Sequence, residues 1–330
     1  GSALITRLHD LWDLLVPVRI REGLRGGRLI VIVPDGAMVS LPLDALVVRR
    51  EAHGVHYWLD EGVAIVEVPS LTIAERVRAR RTRKGTTRGT VLSVADPSYR
   101  WTPENTTAPP PARMVTTATR GLEARPVLLT RGGWAALRGA RRETQDLRAA
   151  FAPESVLVLA GSDATEPRVR ELLAHCRLAH LATHGFVAGG RTSPLAGLVL
   201  SAPERPRDTV NDGLLQSYEL REIGMHCELA ILSACETNVG DMDPAEGAFT
   251  LARNFFAYGA DQVVATQWPV DDAVTAQLMR TFFVELARRE RATGRLDAPT
   301  ALAAAKRAIR SNPRIAHPAF WAGFVTLGLP

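Results

Sequence analysis

Cysteine is scarce in this chain: only Cys176, Cys227 and Cys235 occur in 330 residues. An odd number without any Cys-x-x-Cys spacing supports neither a disulfide framework nor a thiolate zinc site, and free thiols fit a reducing compartment. Long apolar runs are lacking as well. None approaches the roughly 18 residues needed to cross a bilayer, and the N-terminus has no basic segment followed by an apolar signal core. The expectation is a soluble, cytoplasmic chain with no membrane partner. Aromatic residues are missing from the two arginine-rich stretches, Arg76-Val-Arg-Ala-Arg-Arg-Thr-Arg-Lys84 and Arg138-Gly-Ala-Arg-Arg142. With nothing to stack on bases, a solvated helix face or loop is favoured over a nucleic-acid partner, although the net charge is +5.

Apolar residues, at 46%, supply material for a substantial core. Leu4, Leu8, Leu11 and Leu15 recur at helical spacing, so the chain opens with an amphipathic helix that Pro17 ends. A strand over 28–33 follows, then a turn at Pro34-Asp-Gly36 and a helix start at 41–46. Further strands are expected at 57–59, 64–68 and 91–94. Residues 100–125 are rich in Thr, Pro and Ala and read as an exposed linker. That linker divides an N-terminal half, 1–125, from a second half, 126–330. Helical and strand patterns alternate in the second half. Helices are expected at 142–150, 164–174, 245–258 and from 271 onward, with strands at 155–160, 262–265 and 320–327.

Two apolar runs in this half end in reactive groups: Leu178-Ala-His-Leu-Ala-Thr-His184-Gly185 and Leu229-Ala-Ile-Leu-Ser-Ala-Cys235. Buried strands between helices point to a parallel sheet, whose carboxyl edge is where α/β proteins gather their chemistry. There His184 and Cys235 would face one cleft, with the histidine about 50 residues upstream, the spacing of caspase-type cysteine proteases. A thiol with a pKa of about 8.5 needs a neighbouring imidazole or helix N-terminus to become a nucleophile, and His184 could then protonate a leaving amine. Gly185 has no Cβ, so its amide and that of Cys235 could form an oxyanion hole. Cys176 and Cys227 read as small buried hydrophobes, and His180, in mid-strand, as a core histidine bonded to a neighbour. One cysteine and one histidine make too few ligands for zinc, so no metal site is expected.

The ordered set Ala179-His-Leu-Ala-Thr-His-Gly185, Leu232-Ser-Ala-Cys-Glu-Thr237, Glu246-Gly247-Ala248, Gly259-Ala260, Trp268-Pro-Val-Asp-Asp272 and His317-Pro-Ala-Phe-Trp-Ala-Gly323 resembles the CHAT domain, a caspase-like family related to caspases and separase. Upstream, Pro34-Asp-Gly36, Leu41-Pro-Leu-Asp-Ala-Leu46, Ala95-Asp-Pro97 and Ala164-Thr-Glu166 extend the similarity over nearly the whole chain. The resemblance implies an α/β caspase-haemoglobinase fold, a three-layer sandwich with a central mostly parallel sheet, the 1–125 half being a degenerate caspase-like unit. It implies a His–Cys dyad at His184 and Cys235, no cofactor, and cleavage after arginine or lysine with Asp272 as the acidic S1 residue. Capping of the helix that starts there is the competing role for Asp271 and Asp272. Gln267 stands where leucine is commoner in the family. The implied setting is bacterial signalling or defence, with a protein substrate such as a gasdermin-like pore former or a regulatory protein, and with an attached or separate sensor or repeat module. A non-catalytic interaction scaffold of the same fold is the alternative.

Overall fold

The computed structural model describes residues 2–27, 29–51, 54–84, 89–99, 134, 136–188, 195–201, 211–233, 244–268 and 270–330. In chain order the elements are α1 (Ser2–Leu15), β1 (Leu29–Ile32), β2 (Val47–Glu51), β3 (Gly54–Tyr57), β4 (Ala64–Glu67), α2 (Leu71–Lys84), β5 (Thr90–Pro97), α3 (Arg138–Ala150), β6 (Val156–Gly161), α4 (Glu166–Leu173) and β7 (Cys176–Ala182). There follow β8 (Gly185–Ala188), β9 (Leu195–Val199), β10 (Leu214–Gln216), α5 (Leu220–Ile223), β11 (Leu229–Leu232), α6 (Pro244–Ala257), β12 (Gln262–Thr266), α7 (Asp272–Thr293), α8 (Ala298–Arg310) and β13 (Phe324–Gly328).

Eight strands form one sheet in the order β1-β4-β13-β12-β11-β7-β5-β6. All neighbours run parallel except β12 and β13. Both faces are covered, which is why β11 and β12 are buried along their whole length and read as unbroken apolar runs. Leu229 and Ile231 point into the layer of α1, α3, α7 and α8, while Ala230 and Leu232 point into that of α2, α4 and α6. On α7 the buried residues Val274, Leu278, Phe282 and Leu286 recur once per helical turn, and this stripe seats the helix on the sheet. Strands from before the linker take part in the same sheet. β4 joins the β13 edge, with Glu67 opposite Leu327, and β5 lies between β6 and β7. The buried Lys306–Asp44 ion pair fastens α8 to the segment before β2.

Local chemistry modifies two sequence expectations. The helix start at 41–46 is a single 3-10 turn, Leu43–Ala45, after which the chain extends into β2. The strand at 57–59 ends at Tyr57, because the Asp60 carboxylate accepts a bond from the Tyr57 amide at 2.9 Å and winds Trp58–Glu61 into a 3-10 turn. A small antiparallel sheet, β10-β9-β8, follows His184, and its short strands carry no alternating pattern that would mark them in the sequence. The linker at 100–125 lies outside the described residues.

Candidate active site

β7 and β11 are parallel neighbours, with Leu181 opposite Leu232, and the Ser233 amide donates to the Leu181 carbonyl at 3.1 Å. Their carboxyl ends therefore lie side by side. His184 lies two residues beyond the end of β7, and its carbonyl accepts a bond from the Val199 amide at 2.8 Å, which ties the turn to β9. Gly185 opens β8 and pairs with Leu198. Cys235 itself lies outside the described residues.

Despite its place at a strand end, His184 is only 2% exposed. Its cover is aromatic. The Tyr99 ring meets the imidazole edge-on, with centroids 4.9 Å apart and planes at 62°, and the Trp134 ring lies 4.9 Å away, tilted by 34°. The Tyr99 hydroxyl is hydrogen-bonded to Thr183 Oγ1 at 3.0 Å, and the Thr183 hydroxyl donates to the Val199 carbonyl. Burial above all pushes the Tyr99 phenol up to about 12, so it stays protonated throughout the physiological range. Neither Tyr99 nor Trp134 stands out in the sequence. Both come from the ends of the stretch around the linker, where no periodicity marks them.

His180 matches its expectation as a bonded core residue. Nδ1 lies 3.0 Å from Ser93 Oγ and Nε2 lies 3.1 Å from Glu143 Oε2, while Ser93 Oγ also contacts Thr144 Oγ1 at 2.9 Å. Cys176 and Cys227 are free and buried, and burial, with Cys176 alongside, holds the Cys227 thiol well above its ordinary range. Such thiols are inert hydrophobes at neutral pH. Among the described residues no group of His, Cys, Asp or Glu side chains is arranged to hold a metal ion.

The two aspartates before α7 divide their work. Asp271 is the N-cap, its Oδ1 accepting bonds from the amides of Ala273 at 3.0 Å and Val274 at 3.1 Å. Asp272 is the first helical residue and is exposed. Because β12 is parallel to β11, this helix start lies beyond the same carboxyl edge as His184. Gln267 is buried, and its Nε2 donates to the Val39 carbonyl at 3.1 Å, tying the end of β12 to the turn after β1. Trp268 covers Gly323 so closely that a Cβ there would stand 2.7 Å from the indole ring. Two of the recognised sequence blocks are thus one packing unit.

Among curated proteins, the tetratricopeptide repeat protein 28 of Mus musculus is 28% identical over 199 residues, and that of Homo sapiens is 27% identical over the same length. The matched stretch is 52% of this chain but only 8% of either relative. Among solved structures, the Arg-specific cysteine proteinase gingipain R matches with a TM-score of 0.50 at 10% identity, covering 100% of this chain and 67% of that one. The separase of the Saccharomyces cerevisiae separase–securin complex matches with a TM-score of 0.48 at 14% identity, covering 91% of this chain and 15% of that one. The CHAT domain model matches residues 6–329, and the chain belongs to the CHAT domain family.

Proposed function

We propose that the chain is a cysteine endopeptidase that cleaves protein substrates through His184 and Cys235. The observation that carries this reading is the pairing of β7 with β11. Ser233 is hydrogen-bonded to β7, and two peptide links cannot take the Cys235 Cα more than about 8 Å from that of Ser233. That short tether supports the reading, in which Cys235 acts from the strand end beside His184.

The chemistry needs no metal or cofactor. The Cys235 thiolate attacks the scissile carbonyl carbon, and the oxyanion is met by the amides of Gly185 and Cys235. As the C–N bond breaks, the His184 imidazolium gives its proton to the leaving amine, which leaves a thioester on Cys235. Water then attacks the thioester carbonyl while His184 takes a proton from it, and the sulfur departs with the new carboxylic acid released. Asp272, exposed and not needed as the helix cap, pairs with a P1 arginine or lysine in this reading. The substrate is a protein in bacterial signalling or defence, a pore-forming or regulatory protein. A repeat module on the same or another chain controls access, as the names of the tetratricopeptide repeat relatives suggest.

A thiol-reactive peptidyl probe with arginine at P1 tests the reading. Labelling of the wild type that disappears in Cys235→Ala and is outcompeted by a basic peptide supports it. Absence of labelling under any activating condition, with the fold intact, would leave a caspase-like interaction scaffold instead.

A further inference from the structure

Asp96 is the only non-glycine residue with positive φ among the described residues, at 45°. It stands at the carboxyl end of β5, beside β7, where the pairing with β6 slips between Ala95 and Pro97. A bulge with a left-handed residue turns a strand sharply, and aspartate tolerates that conformation better than most side chains. The turn delivers Tyr99 onto the His184 ring. The Asp96 carboxylate also anchors the chain beyond the linker, where Oδ1 accepts the Leu137 amide at 2.9 Å and Oδ2 accepts Arg141 Nε at 2.7 Å. Those bonds fix the entry to α3, just after Trp134, the other ring against His184. One buried residue therefore sets both aromatic neighbours of the imidazole.

We propose that Asp96 is a positioning residue, whose left-handed backbone and doubly bonded carboxylate hold Tyr99 and Trp134 as two jaws that fix the plane of the His184 ring. The proposal rests on the endopeptidase reading. A general acid that serves first a leaving amine and then a water must keep one ring edge directed at the cleft, and a misplacement of about 1 Å can cost ~10²-fold in rate. Jaws that grip the ring through aromatic contacts fix its plane without taking part in proton transfer. Each jaw is itself anchored, Tyr99 through Thr183 to β9 and Trp134 by packing on the cluster of Tyr99, Phe186 and Val199. The arrangement has the character of strain kept at a functional site because the surroundings hold it there.

The test combines kinetics with a readout that needs no turnover. In Trp134→Ala, kcat is expected to fall about 10- to 100-fold while KM stays within about twofold, with Trp134→Phe restoring most of the rate. Asp96→Gly, which relieves the backbone but removes the anchor, is expected to behave like Trp134→Ala. In a Cys235→Ala background, NMR of the His184 ring protons is expected to lose its ring-current displacement in Trp134→Ala and in Asp96→Gly. Unmoved ring signals in folded Asp96→Gly would overturn the proposal, and so would faster cleavage by Trp134→Ala, which would make Trp134 a cover. If the wild type cleaves nothing yet the signals move, the clamp stands and the endopeptidase reading falls.

Discussion

His180 and His184 share one strand and its continuation, and their exposures, 0% and 2%, are almost the same. Their surroundings differ in kind. Both nitrogens of His180 are engaged, by Ser93 and Glu143, and its ring meets Phe283 edge-on at 5.4 Å. Serine, histidine and carboxylate in series imitate a hydrolase triad, but Ser93 and His180 lie in mid-strand, within β5 and β7 rather than at the carboxyl edge of the sheet. His184 is gripped by two aromatic rings, at the sheet edge where β7 and β11 both end. Burial alone does not separate a structural histidine from a reactive one. What separates these two is their place: His180 gives both ring nitrogens to core side chains in mid-strand, while His184 packs against two aromatic rings at the sheet edge where β7 and β11 end.

The sharpest way to break the comparison is to delete each ring. His184→Ala is expected to lower turnover by about 10⁴-fold or more while the protein still folds cooperatively, with only the stability loss of a small cavity between the two rings. Unfolding on that substitution would make His184 structural and erase the contrast. His180→Ala should do the opposite, destabilising by roughly 3–5 kcal/mol because it strands the buried Glu143 carboxylate. Activity per folded molecule should change little. Denaturant unfolding alongside cleavage assays checks both, and a stable but inactive His180→Ala would place that histidine in the mechanism.

A second pair sharpens the same lesson. Asp272→Ala is expected to lower kcat/KM for arginine and lysine at P1 by about 10- to 100-fold with little loss of stability. Asp271→Ala should cost about 1 kcal/mol of stability, the loss of a cap, and leave the P1 preference alone. Exchanged outcomes would reverse the two roles.

The effect most remote from the site concerns a carboxyl far from either histidine. Burial, and then the nearby Asp44, push Glu67 from 4.5 up to about 8 against the opposing charges of Lys306 and Arg253. Between those values the folded state keeps a proton that the unfolded chain has released. Stability from this group is thus full below pH ~4.5 and is lost as pH rises through ~8, by at most about 1.4 kcal/mol per pH unit. Glu67→Gln should flatten that part of the unfolding free energy measured between pH 5 and 8. An unchanged slope would show that the carboxyl is ionised in the folded protein.

The sequence revealed what is local. Short apolar runs disclosed β7, β11 and β12, and His180 was legible as a core residue because it lies in mid-strand with apolar neighbours. Its partners were not legible, for Ser93 lies 87 positions away and Glu143 lies 37. Asp96 was visible only as part of Ala95-Asp-Pro97, since neither a positive φ nor a bulge is written in a single residue type. The choice of Asp271 over Asp272 as cap depends on where α7 begins, to the residue, and pattern alone does not fix helix ends so closely. The sharing of one sheet by strands from before and after the linker is a long-range pairing that periodicity cannot encode.

The central claim, that Cys235 and His184 form one peptide-cleaving pair, is tested most directly by a peptide-library cleavage profile of the wild type beside Cys235→Ala and His184→Ala. The account predicts cleavage after arginine and lysine by the wild type and none by either variant. Cleavage that persists in folded Cys235→Ala would contradict it.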